Sequence, residues 1–209
     1  MIYAEHILIC IAIPLIIALL FTGRGTRNFL FSFIMGMITC LLSAYISGFL
    51  KFVLNIETEH MAIYYSPVLE EIMKLLPLLF YLFVFNPSDR NLLTAALGLG
   101  LGFATFENCC YILSVPSPEI GFVLIRGLAV GVMHFVCAMT LALGLLMAQR
   151  LKSLSIPGVV GALALSCAIH GLYNLLVSEP GAPEYFGYML PMVIVAVLYV
   201  LNAKQIRVQ

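Results

Sequence analysis

Seven apolar runs follow one another along the chain, at roughly 6–22, 28–54, 62–85, 92–114, 121–148, 157–177 and 187–203. Each approaches or exceeds the length of a membrane-spanning helix, which needs about 20 mostly apolar residues to cross the hydrocarbon. Lipid offers no hydrogen bonds to an unpaired backbone, so runs of this length are read as helices. Only 10% of the 209 residues are charged and 63% are hydrophobic, whereas soluble domains carry about 25% charged residues. A water-soluble globule could not cover its surface with so few polar side chains. The expected fold is therefore all-α: a polytopic transmembrane helical bundle of about seven spans, forming one domain over 1–209.

The first run reads as a span and not as a cleaved signal peptide. Glu5 and His6 stand where a basic region belongs, and no small-residue cleavage site follows. The breaks between runs are short and carry turn residues: Gly23–Gly25, Asn86–Pro87, Pro116–Pro118 and Pro180–Pro183. Cys10, Cys40, Cys109, Cys110, Cys137 and Cys167 all lie inside apolar runs and read as small buried hydrophobes, with no disulfide framework. Lys and Arg balance Asp and Glu at 10 each. That balance argues against nucleic acid as a partner, because a phosphate backbone demands a cationic surface.

Loop charges set the expected orientation, since cytoplasmic loops keep an excess of Lys and Arg. Arg24 and Arg27, then Arg150 and Lys152, then Lys204 and Arg207 fall on one side. Glu57, Glu59, Glu119, Glu179 and Glu184 fall on the other, with Lys51 and Arg126 as exceptions. The N-terminus is expected outside and the C-terminus in the cytoplasm of a bacterial cell membrane.

Six ionisable residues stand within the spans: Glu70, Glu71, Lys74, Glu107, His134 and His170. Such a group in the bilayer core costs about 2.5–3.5 kcal/mol on insertion scales unless it is paired or hydrated. These residues should therefore share a wet cavity. Lys74 lies four residues after Glu70 and three after Glu71, so both carboxylates reach one helix face. One Glu is expected to pair with Lys74 while the other points into the cavity. Ser66-Pro67 looks like a helix cap followed by proline at the first turn, and Pro77 is a candidate kink. Glu107 and Tyr111 share a face, as do His170 and Asn174. Counting about 1.5 Å per residue puts Glu107 and His170 ~10 Å below the outer surface, and His134 ~20 Å below it if its helix starts near Gly121 or ~12 Å if it starts near Arg126. Gly98, Gly100, Gly102, Gly127 and Gly131 are expected to let helices approach closely.

Two imidazoles with carboxylates suit hydrolysis in two ways. His134, His170 and one Glu hold Zn²⁺ while a second Glu acts as general base on the metal-bound water. Alternatively there is no metal, and a Glu activates water directly with His134 holding it. His170 and Asn174 then donate to the oxyanion.

Four segments carry a family resemblance: Val68-Leu69-Glu70-Glu71-Ile72-Met73-Lys74, Gly102-Phe103-Ala104-Thr105-Phe106-Glu107-Asn108, the lone His134, and His170-Gly171-Leu172-Tyr173-Asn174. Together they resemble the motifs of the PrsW family of bacterial intramembrane proteases, which is related to the CAAX-prenyl-protease and bacteriocin-processing (CPBP) superfamily. Tyr111 stands where the wider superfamily has a His. The resemblance implies a catalytic core within 62–177. The implied activity is cleavage of a single-pass anti-sigma factor near its extracytoplasmic end during envelope stress. It also implies Glu70 or Glu71 as base, Lys74 as counter-ion, and Glu107 as ligand or orienting carboxylate. His134 and His170 bind water or metal, and Asn174 supports His170 or the oxyanion. A metal would draw its ligands from Glu71, Glu107, His134 and His170. The competing readings are a proton- or cation-coupled transporter, since intramembrane Glu and His chains also carry protons, and a non-catalytic scaffold that binds membrane peptides.

Overall fold

A computed structural model of the protein describes residues 4, 7, 8, 11–13, 15, 16, 23–116, 119–151 and 155–206, the side chains of 198–206 apart. Among these residues there are helices and turns and no strand. The elements are α1 (Arg24–Leu54), α2 (Thr58–His60), a π-helical turn (Met61–Tyr65), α3 (Ser66–Phe85), α4 (Asp89–Ser114), α5 (Ile120–Arg150), α6 (Ser155–Ser178) and α7 (Ala182–Ile206). The span expected over 6–22 falls mostly outside the described residues. Ile7, Leu8, Ile11 and Leu15 pack on the core cluster of Ile34, Met37, Cys40, Phe103 and Phe106.

Four helices, α1, α4, α5 and α6, are long and apolar enough to cross a membrane, and α7 adds a shorter apolar stretch. The chain is an all-helical, multi-pass membrane protein. α3 carries three charges in 20 residues, yet it is built for the same solvent. Glu71 and Lys74 are fully buried, while Val68, Ile72, Leu76, Phe80 and Phe83 are exposed and face outward. The helix thus turns its polar edge inward and an apolar face to lipid.

Glycine sets the spacing of the bundle. A Cβ on Gly102 would lie 2.0 Å from the Phe33 carbonyl oxygen, and one on Gly36 would lie 2.1 Å from that of Leu99. These two positions let α1 and α4 touch backbone to backbone. Gly100, on another face of α4, would place its Cβ 2.7 Å from the His134 carbonyl oxygen, which draws α5 in beside the future site. Gly127 and Gly131 differ from expectation. Nothing lies within 4 Å of a Cβ built on either, because both sit off the face on which Ala129, Val130 and Met133 are buried.

Two local readings are also revised. Ser66 does not cap a helix start, because the residue before it is already helical and the chain runs from α2 through the π turn into α3. Its hydroxyl instead donates to Ser47 at 3.5 Å. α5 begins at Ile120 and not near Arg126, so His134 lies about 21 Å along it. It still reaches Glu107, because helical side chains tilt toward their own N-terminus. On antiparallel α4 and α5 that tilt brings the two side chains toward each other.

One end of the bundle gathers Arg24, Arg27, Arg90 and Arg150, joined by the Asn28 amide on the Asn91 carbonyl at 2.8 Å and the exposed Arg150–Asp89 pair. Glu57, Glu59, Glu119 and Glu179 lie at the opposite end. Gly102→Ala should lower the unfolding temperature of the purified protein in detergent, with overpacking costing about 1–3 kcal/mol. Gly127→Ala should leave it unchanged.

Candidate active site

The site grows from α3. Glu71 and Lys74, one turn apart, form a fully buried ion pair at 2.6 Å. Lys74 Nζ also donates to His134 Nδ1 at 2.6 Å and sits 4.2 Å from the centre of the Phe103 ring. An ammonium has only hydrogens to give, so His134 Nδ1 is the acceptor and its Nε2–H donates to Glu107 Oε2 at 2.5 Å. Arg126 donates to the other Glu107 oxygen at 3.1 Å. Glu71 is saturated on both oxygens. Oε1 accepts from Lys74 and from His170 Nδ1–H at 2.8 Å, and Oε2 accepts from the Ser166 hydroxyl at 2.7 Å. One chain of hydrogen bonds thereby joins α3, α4, α5 and α6. The His134 and His170 rings meet edge to face at 5.0 Å.

Glu70 stands apart from that chain. Its Oε2 is buried and has no hydrogen-bond partner among the described residues. It faces His170 Nε2 at 3.8 Å. In the neutral imidazole, with the Nδ1 proton given to Glu71, His170 Nε2 presents a lone pair. Two acceptors therefore confront each other in a buried space, and only a cation or a proton donor belongs between them.

The donor set suits a metal. Ligand atoms of Glu70, His134 and His170 all lie within 4.8 Å of one another. Three N/O ligands are the number a catalytic zinc site takes, with a position left for water or substrate. The Glu71 carboxylate behind His170 Nδ1 is the outer partner that orients a ligating imidazole. His134 joins the set only if Lys74 or Glu107 releases one ring nitrogen, since both nitrogens are engaged.

The ligand set expected from the sequence also named Glu71 and Glu107. Glu71 is held by Lys74, His170 and Ser166, and Glu107 by His134 and Arg126, while Glu70 Oε2 is left buried without a hydrogen bond. Asn174 also moves in role. Its amide nitrogen donates 3.0 Å to the Ala62 carbonyl oxygen, in the π turn whose altered register disturbs the normal helical pairing. Asn174 thus ties α6 to the turn that leads into Glu70 and Glu71. Arg126, an exception to the loop-charge pattern, is the cation of Glu107. Ser166 and Phe103 escaped the sequence reading, although Ser166 lies four residues before His170 and Phe103 four before Glu107.

A buried acid–imidazole cluster thus lies inside the helical bundle of a multi-pass membrane protein. The sequence model of the PrsW family, described as a PrsW family intramembrane metalloprotease, matches residues 24–201. The chain belongs to that family and is an intramembrane peptidase. No curated protein and no solved structure matches it. An open apolar groove of about 640 Å³, lined by Phe31, Met35, Pro77, Tyr81 and Leu99 among others, lies elsewhere. It has no acid or imidazole and is not the site.

Lys74→Met strands the Glu71 charge and should destabilise the protein by about 3–5 kcal/mol. Adding Glu71→Gln to Lys74→Met should recover part of that loss. Ser166→Ala should cost about 1.5–3 kcal/mol, as expected for a hydrogen bond to a charged group. Unfolding followed by circular dichroism in detergent checks all three.

Proposed function

We propose that the protein is an endopeptidase that cuts a single-pass membrane protein near the extracytoplasmic end of its helix. The substrate proposed is of the anti-sigma-factor type, and the membrane is the bacterial cytoplasmic membrane. The working part of the chain is 62–177. The observation that carries the chemistry is the partnerless Glu70 oxygen facing the lone pair of His170 Nε2.

Glu70, His134 and His170 would hold the metal that the family description implies, and its chemistry there is Lewis acidity toward water and the scissile carbonyl. The protein groups do the rest. His170 Nε2 would give its one lone pair to the metal, and the Glu70 oxygen left free of the metal takes up the proton of the attacking water. Glu71 fixes the His170 tautomer, and whichever of Lys74 and Glu107 stays bonded to His134 orients that ring while its other nitrogen turns to the metal. Phe103 closes one side of the Lys74–His134 contact and keeps bulk water away from it.

Depth supports a cut near one membrane surface. Glu107 lies seven residues from the end of α4 and His170 eight from the end of α6, or about 10–12 Å. Both ends belong to the acidic side of the bundle, and the opposite, arginine-rich side is the cytoplasmic one by the positive-inside rule. A reporter enzyme fused after residue 209 should accordingly be active only in the cytoplasm.

The direct test uses wild-type protein in proteoliposomes with a single-pass anti-sigma-type reporter, tagged on both sides of its helix. Wild type should release the outer tag. Glu70→Gln should lose about 10²–10⁴-fold in rate, the usual worth of a positioned acid or base. Metal analysis should find close to one divalent ion per chain, lost in His170→Ala together with activity. Full cleavage by Glu70→Gln, or full activity of metal-free protein, would overturn the corresponding part of this reading. Reporter-independent ion flux through the liposomes would favour a transporter instead.

A further inference from the structure

Four buried side-chain polar atoms have no hydrogen-bond partner among the described residues: Glu70 Oε2, Asn108 Oδ1, Arg126 Nε and the Tyr173 hydroxyl. The first belongs to the chemistry above. The other three come from three helices, α4, α5 and α6, at positions toward the acidic end of the bundle. The Arg126 guanidinium donates to Glu107 and stacks 3.5 Å from the centre of the Tyr111 ring. Asn108 lies on the α4 strip that runs Ala104, Asn108, Tyr111, at intervals of four and three residues. Tyr173 packs on Ala104, Val130 and Met133. Ala104 is one turn before Asn108, and Val130 is one turn after Arg126. Tyr173 is itself one turn past His170, toward the acidic end of the bundle.

Buried polar atoms in native proteins are nearly always paired, so each exception calls for a ligand or a role. A burial this complete, with Tyr173 only 2% exposed, gives its hydroxyl no bulk water. The chemistry of the three atoms is specific. Arg126 Nε–H and Tyr173 O–H donate, and Asn108 Oδ1 accepts. An extended peptide offers the complement, carbonyls and N–H groups, whereas a helix has already used both internally.

We propose that Arg126, Tyr173 and Asn108 form a subsite for the backbone of an unwound substrate segment, immediately outward of the Glu70–His170 pair. Arg126 Nε and the Tyr173 hydroxyl donate to peptide carbonyls, and Asn108 accepts from a peptide N–H. The subsite selects an extended strand over a helix, and it anchors that strand beside the reacting groups without touching the attacking water. This inference rests on the peptidase reading and extends it to the form in which substrate is held.

The test is binding, which separates it from turnover. Fluorescently labelled, unfolded casein is titrated against reconstituted Glu70→Gln protein and read by anisotropy. Tyr173→Phe and Arg126→Lys are added singly to that background. Arg126→Lys keeps a cation for Glu107 but lacks Nε. Each should weaken binding roughly 5–10-fold, the worth of one buried hydrogen bond. Tyr173→Phe should also keep or raise the unfolding temperature, because it removes an unpaired buried hydroxyl. A structural role would lower the unfolding temperature and spare affinity. Unchanged casein affinity in both variants, or no binding to the Glu70→Gln parent, overturns the subsite. Failure to cut the anti-sigma-type reporter counts against that substrate and leaves the casein result standing.

Discussion

A carboxylate and an ammonium, both without solvent exposure, sit one helical turn apart in a protein whose surroundings are hydrocarbon. Neither survives burial alone. The desolvation of one charge amounts to several kcal/mol, and only a close partner with further hydrogen bonds offsets it. Glu71 and Lys74 meet that condition by recruiting outward: Lys74 to His134, and Glu71 to His170 and Ser166. The requirement to satisfy one ion pair is what brings α5 and α6 to α3. The same bonds fix the tautomers of both imidazoles. Structure and chemistry here follow from one electrostatic demand.

Backbone packing makes those bonds reachable. Lipid tails are as apolar as leucine, so membrane helices associate through close contact and not through hydrophobic exclusion from water. Gly36 and Gly102 bring α1 against α4, and Gly100 brings the α5 backbone against α4 at His134 itself. A side chain at Gly100 would push His134 away from Glu107. The π turn before α3 works on a smaller scale. It shifts the helical register ahead of Glu70 and Glu71, and Asn174 binds a carbonyl within it, so the α6 residue four after His170 helps to aim the carboxylates.

Much of this was legible in the sequence, for identifiable reasons. Apolar runs of span length announced the membrane helices, because hydrocarbon tolerates little else. The six ionisable residues stood out by their cost, and five of them, Glu71, Lys74, Glu107, His134 and His170, form one bonded network with Glu70 beside it. What remained hidden depends on which oxygen faces which nitrogen. Periodicity places Glu70 and Glu71 within reach of Lys74 but does not say which one Lys74 takes. The continuous helix through Ser66 was obscured because a local cap signal competed with tertiary packing, whereas the run from 121 already marked the start at Ile120. Ser166 was visible only as a register partner of His170, at four residues, and Arg126 only as a charge on the unexpected side, eight residues before His134. Short polar residues at such spacings are common enough in helices that the pattern becomes informative only when a neighbouring helix is known.

The network also divides by what it leaves open. Glu71, Lys74 and Glu107 have their bonding capacity engaged by protein groups, and they form the rigid part. Glu70 Oε2, Arg126 Nε, Asn108 Oδ1 and the Tyr173 hydroxyl are buried without partners. A partly satisfied polar network is less stable than an apolar core of the same shape, so stability alone gives no reason to keep four such atoms. Charge points the same way. Glu70, Glu71 and Glu107 are three carboxylates, and Lys74 and Arg126 are two fixed cations. With neutral imidazoles, one negative charge remains uncompensated beside two facing lone pairs. A protein that only needed to fold in lipid would place leucine at these positions. Retaining acids and donors there makes sense for a chain that receives a cation or proton donor at one end of the chamber and a peptide backbone at the other.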